Sequence, residues 1–280
     1  MPFTRNVKDF PHQLHQKVKM KNNPRKPPKR VGNKTKSTPS ASSRPGVRLN
    51  KFLADAGVAS RREADNLIKT GLVQINGNVV TEMGYKVLPD DEVRFNGSLL
   101  NPEKKVYLVL NKPRGFITTV SDPKARKTVM ELVANAGNER IYPVGRLDRQ
   151  TTGVLLFTND GEMAKKLTHP SHGARKIYDV SLNKKLTQTD YHKIQDGLEL
   201  DDGPIKVDEI SFVEGKSKNQ IGIILHSGRN RIVRRIFEHL GYEVTKLDRV
   251  WFAGITKKGL SRGQWRKLSQ KEVNFLMMKS

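Results

Sequence analysis

The chain has 280 residues, enough for one or two compact domains, and 35% of it is hydrophobic. Its 52 Lys and Arg against 28 Asp and Glu leave a formal charge of +24, more than solubility requires, so a polyanionic partner is expected, nucleic acid or an anionic membrane surface. No apolar run approaches the roughly 20 residues of a membrane span, there is no cysteine, and the basic N-terminus lacks an apolar secretory core, so a membrane location, disulfides and export are not expected and a cytoplasmic one is.

Residues 1–47 carry twelve Lys and Arg against one acid, Asp9, with Pro24, Pro27, Pro28, Pro39 and Pro45 interrupting any helix. A disordered basic arm is expected there, either a solvated tail or an auxiliary RNA contact made through charge alone.

From Arg48 the pattern changes. Leu49, Phe52, Leu53 and Ala56 follow helical spacing and Gly57 is placed to end the helix. Ser60 and Glu63 form a capping box for a second helix with the stripe Ala64, Leu67 and Ile68, stopped at Gly71. Val73 and Ile75 then alternate into Asn76-Gly77, a hairpin signal, and Val79 and Val80 begin the return strand. Arg61 and Arg62 stand in the first turn of the second helix, where the dipole disfavours positive charge by about 0.3–1 kcal/mol each. Either they solvate a surface or they wait for phosphate.

The polar stretch 101–105, with Pro102, reads as a linker. Beyond it, strand-like runs (Val106 to Leu110, Val154 to Phe157, Tyr178 to Leu182, Ile221 to Leu225) alternate with helical segments near 161–167, 187–196 and 231–240. The fold class is α+β, and without regular crossover helices the sheet should be mainly antiparallel or mixed, flanked by helices.

Pro143 to Gly153 is polar and glycine-bounded, yet directly precedes the apolar run Val154 to Phe157, so it presents a loop at a strand end. Asp148 lies there between Arg146 and Arg149, whose charge favours the ionised carboxylate. Spacing alone leaves a surface ion pair as the alternative. Tyr178, by its spacing alone, is an ordinary half-buried strand aromatic. Arg234 and Glu238 have the spacing of a helix-surface pair. His169 and His172 form an H-x-x-H with Pro170 between them and no third ligand, so no metal is expected. No phosphate loop or dinucleotide fingerprint is present, and no nucleotide cofactor is expected.

Several of these segments carry a resemblance. Arg48-Leu49-Asn50-Lys51-Phe52-Leu53, Ser60-Arg61-Arg62-Glu63-Ala64 and Val73-Gln74-Ile75-Asn76-Gly77 resemble an S4 RNA-binding domain over residues 48–100. Leu110 to Gly115, Gly145-Arg146-Leu147-Asp148 with Thr151 to Leu156, Lys176 to Val180, Gly228-Arg229-Asn230-Arg231 and Lys246 to Val250 resemble the RsuA/RluB-type ribosomal RNA pseudouridine synthases, placing the catalytic domain at 106–275.

The resemblance implies isomerisation of a uridine in ribosomal RNA by the carboxylate of Asp148, with no cofactor. It implies further that Arg146 helps displace the base, Tyr178 stacks on it, Val233 lines the pocket, Arg234 pairs with Asp148 and Leu247 packs at the site. Asp248 is more acidic than the family's pattern leads one to expect and is read as a partner of Arg249. Arg48, Lys51, Ser60, Arg61, Arg62, Lys112, Arg229, Asn230 and Arg231 are the expected RNA contacts. Thr168-His169-Pro170-Ser171-His172 and Gly263-Gln264-Trp265-Arg266 resemble the branch acting on 23S rather than 16S RNA. The expected partner is ribosomal RNA or an assembly intermediate, engaged by a monomer. A silent RNA-binding assembly factor would leave uridines unchanged, and an RNA glycosidase would release uracil, though glycosidases commonly use two carboxylates.

Overall fold

A computed structural model describes residues 46–279, and the basic arm lies outside the described residues. The described chain divides into two compact units, meeting between Lys104 and Lys105.

In the first unit β1 (Val47–Arg48) leads into α1 (Leu49–Asp55) and α2 (Arg61–Lys69). The expected capping box is formed: the Ser60 backbone N–H donates to Glu63 Oε2 at 2.8 Å and the Glu63 N–H to Ser60 Oγ at 3.3 Å. Then come β2 (Val73–Ile75), β3 (Asn78–Val79), β4 (Lys86–Val87), β5 (Val93–Phe95) and β6 (Ser98–Leu99). Asn76 and Gly77 both have positive φ, 51° and 81°, the type I′ geometry that matches strand twist. The strands form a four-stranded sheet in the order β3-β2-β5-β6 and a separate β1-β4 pair. Leu49, Leu53, Ala64, Ile68, Val73, Ile75, Val87 and Val93 make the core.

The second unit contains β7 (Tyr107–Lys112), β8 (Tyr142–Val144), β9 (Thr152–Thr158), α3 (Gly161–Thr168), β10 (Lys176–Leu182), α4 (Gln188–Asp196), β11 (Leu198–Leu200) and β12 (Gly203–Ile205). It continues with β13 (Glu209–Phe212), β14 (Gln220–Leu225), α5 (Ile232–His239), β15 (Val244–Phe252), β16 (Ile255–Thr256), β17 (Trp265–Lys267) and α6 (Gln270–Lys279). A nine-stranded sheet runs β13-β14-β10-β15-β9-β7-β17, with β8 added to β9 and β16 to β15. Every pairing in it is antiparallel except β9 with β15.

Alternation along β9 explains why its run is continuously apolar. Leu155 and Phe157 join one buried cluster, with Ile236 and Phe237 of α5, and Val154 and Leu156 join another, with Met163 and Leu167 of α3. Both faces of a central strand are thus covered. Local periodicity in the second unit does not mark β8, β11 to β13, β15 to β17 or α6. Of these β15 matters most, because it lies at the centre of the sheet and makes that sheet's one parallel pairing among the described residues. Among the described residues no helix is long and apolar enough to cross a membrane.

Candidate active site

The parallel junction is two residues long, Asp248 opposite Thr152 and Arg249 opposite Gly153. Gly153 has φ +106°, and a Cβ there would run into the Arg249 carbonyl and the Asp248 carboxylate. Only glycine lets the two backbones approach this closely. The loop 145–151 precedes β9 and carries Asp148 at the mouth of a cavity of about 680 Å³.

That loop is held from beneath by its carbonyls. Thr118 Oγ1 donates to Leu147 O at 2.7 Å, the Gly115 N–H to Arg149 O at 2.9 Å and the Thr151 N–H to Asp148 O at 3.0 Å. The Lys112 ammonium donates to the carbonyls of Pro113 (3.1 Å), Asp148 (3.1 Å), Arg149 (3.4 Å) and Thr151 (2.9 Å). Lys112 is 0% exposed. Burial pushes its pKa down to about 8, and the charge of Asp148 opposes that fall. The expectation that Lys112 contacts RNA is therefore corrected: its side chain is sealed inside the domain as a brace for the Asp148 loop.

The carboxylate meets one guanidinium. Asp148 Oδ2 lies 4.0 Å from Nε of Arg234, and Arg234 Nη1 donates to Val244 O at 2.8 Å. Arg234 is 8% exposed and its Nε has no hydrogen-bond partner. The separation suits charge attraction but is too long for a hydrogen bond, a spacing that commonly closes when substrate arrives. Burial, then the charge of Arg231, lowers the pKa of Arg234 from the ordinary arginine value. Glu238, at helical spacing from Arg234, pairs instead with Arg231 at 3.2 Å.

Tyr178, Val233 and Leu247, all buried, line the same cavity as Asp148. Arg146 is exposed at its rim. Asn230 and Arg231 also line it and are exposed. Arg229 is held differently: it pairs with Asp202 and donates to Gly203 O (3.0 Å) and Pro204 O (2.9 Å). Its guanidinium clamps the turn between β11 and β12, so these bonds are made within the protein although the residue also lines the cavity.

A second correction concerns Asp248. It does not pair with Arg249, because alternation sends the two side chains to opposite faces of β15. Asp248 accepts from Arg262 (2.7 Å), Lys257 and Thr152 (3.0 Å), while Arg249 Nε donates to Val154 O at 2.8 Å. In the first unit Arg48, Arg61 and Arg62 are exposed, Lys51 pairs with Asp55 at 2.9 Å, and the Ser60 hydroxyl accepts its capping bond. His169 and His172 stack edge to face at 5.9 Å, and no group of three or more His, Cys, Asp or Glu among the described residues could hold a metal.

Lys176 and Arg249 also line the cavity; the sequence marks Lys176 for no role and Arg249 only as the expected partner of Asp248. Period-two spacing from Tyr178 could have found Lys176. Arg249 needed the cross-strand register.

A family model described as RNA pseudouridylate synthase matches residues 106–239, and one described as S4 domain matches residues 47–93. The chain is 44% identical over 232 residues to a Bacillus subtilis protein named ribosomal large subunit pseudouridine synthase B, covering 82% of this chain and 95% of that one. A Yersinia pestis protein of the same name is 38% identical over 240 residues, 82% of this chain and 75% of that one. A solved structure described as a crystal structure of pseudouridylate synthase is similar with a TM-score of 0.58 and 28% identity, covering 82% of this chain and 99% of that one.

Proposed function

The chain belongs to the RNA pseudouridylate synthases, and on that premise we propose that it isomerises a uridine of large-subunit ribosomal RNA to pseudouridine, with Asp148 as the acting carboxylate. One observation carries the residue assignment: Asp148, set 4.0 Å from the buried cation Arg234, opens into the cavity that Tyr178 lines. Two relatives named for the large subunit, with the likeness of Thr168 to His172 and Gly263 to Arg266 to the 23S branch, favour that RNA over the 16S.

In this reading the target uridine leaves its stack, at a cost of a few kcal/mol, before the carboxylate can reach it. Tyr178 supplies an aromatic face and Val233 and Leu247 an apolar surround for the base. Arg146, exposed on the same loop, fills the gap the base leaves. Phosphate contacts by Arg48, Arg61 and Arg62 offset part of the unstacking. Asp148 then starts the exchange of N1 for C5 at C1′, by attack on base or ribose or by taking a ribose proton, while Arg234 holds it aimed.

The test is Asp148→Asn incubated with unmodified ribosomal RNA, with pseudouridine mapped by carbodiimide-blocked primer extension. Binding is expected to survive and product to vanish on the large-subunit RNA. Full activity in the variant would refute the assignment, and product on small-subunit RNA alone would move the substrate to the other branch.

A further inference from the structure

A part of the cavity wall made by β10 and β15 holds two cations that the steps above leave unused. Lys176 and Tyr178 share a face of β10. Across the ladder Phe252 is the partner of Lys176 and Arg249 the partner of Tyr178. The register skips Val250, and this bulge puts the Arg249 guanidinium 4.5 Å from the centroid of the Phe252 ring, with the Lys176 ammonium 5.9 Å from the same ring.

Neither cation has a carboxylate partner among the described residues. The Lys176 ammonium donates to the carbonyls of Ala174 (3.0 Å), His226 (2.7 Å) and Ser227 (3.4 Å). Asp208, whose charge reaches Lys176, is bonded to Arg175 and His226. Arg249 is 3% exposed, and its Nη2 is buried without a partner. Burial and the charge of Arg249 push the pKa of Lys176 down to about 8. Two like charges set close together, offset only by an Asp208 carboxylate already bonded elsewhere and by the Tyr178 hydroxyl beside Arg249, work against folding, so the wall suits an anion that arrives or forms there.

Isomerisation generates such an anion. When N1–C1′ breaks, the electron pair stays with the base, and the negative charge spreads over N1, O2 and O4. C5 then bonds to C1′, the proton on C5 leaves, and N1 ends protonated, so one proton changes place and no oxidant or reductant is consumed. We propose that Lys176 and Arg249 form a cationic wall that holds the negative charge of the detached base until C5 has bonded to C1′. This rests on the reading of the site given above. Because every strong donor of Lys176 is already taken by a carbonyl, it acts by fixed charge from a partly buried wall and needs no rearrangement as the bond breaks.

The experiment compares two preparations of large-subunit ribosomal RNA, one transcribed with uridine and one with 5-fluorouridine, under single turnover. Loss of the unmodified nucleoside is read by digestion and mass spectrometry. Fluorine at C5 makes the base a better leaving group, so it needs less outside stabilisation. Lys176→Met is expected to slow the uridine RNA about 100-fold and the fluorinated RNA less than about 10-fold, whereas Lys176→Arg stays within about 10-fold on both. Lys176→Gln, which keeps a donor for the 226–227 carbonyls, should repeat the Lys176→Met pattern even if the methionine variant does not fold. An equal loss on both RNAs would overturn the proposal and leave Lys176 as a pin for that loop. A wild type inactive on both would instead remove the reading of the site itself.

Discussion

Replacing Lys112 by Met separates a brace inside the protein from a hand on the RNA. The ammonium serves four carbonyls, three of them in the loop 148–151. Held near pH 8 instead of 10.5, it is about 3 kcal/mol less favourable to keep charged in the folded state than in the unfolded chain, so its removal relieves the fold of that cost. Against this, buried carbonyls left without a donor cost about 1–3 kcal/mol each. Asp148 O and Arg149 O keep the backbone N–H groups of Thr151 and Gly115, which limits the loss. The two effects offset, and stability should change by no more than about 2 kcal/mol. The loop, however, loses its central tether, and a displacement of about 1 Å in a reacting group costs on the order of 100-fold in rate. Lys112→Met should therefore lower kcat about 100-fold while KM for ribosomal RNA stays within about threefold. Steady-state kinetics and a urea titration on the same preparation measure both. A KM raised tenfold or more with kcat intact, and a shallower salt dependence of binding, would refute the brace and restore Lys112 as a phosphate contact.

Three further outcomes follow from the same geometry. Arg61→Ala with Arg62→Ala should reduce the slope of log K against log salt by about 1–2, whereas Arg229→Ala should leave the slope unchanged and lower the unfolding midpoint, since Arg229 is spent on Asp202, Gly203 and Pro204; equal slopes for both variants would contradict this. Gly153→Ala should destabilise the second unit by about 3 kcal/mol, read by thermal melting, because φ +106° and contact with the β15 backbone leave no room for a methyl group. Lys112 and Lys176 release their protons near pH 8 in the folded chain, while unfolded lysines hold theirs to about 10.5. The unfolded chain then binds more protons, so urea midpoints should rise from pH 7.5 to 9.5 while kcat falls over the same interval. A midpoint that falls would show that burial does not depress these ammoniums.

Much of this architecture could be read from neighbours along the chain. The Ser60 and Glu63 cap, the Asn76-Gly77 turn and the apolar run before Thr158 depend on contacts a few residues apart, and their geometry follows from backbone chemistry that any such sequence shares. The loop bearing Asp148 was visible for the same reason, a polar glycine-bounded stretch abutting an apolar strand. What that loop faces was not. Arg234 lies 86 positions further along, and no local pattern states that its nearer acid, Glu238, will be taken by Arg231. Lys112 looked like a surface lysine because burial is a property of the whole sheet, and β7 places its end under the loop only once β9 has paired beside it. Likewise the cationic wall needs β15 inserted between β9 and β10, with one residue bulged, before Arg249 can stand against Phe252. Alternation and capping are settled by adjacent residues, whereas register between distant strands is settled by which packing buries the most apolar surface, and that competition is decided only in three dimensions.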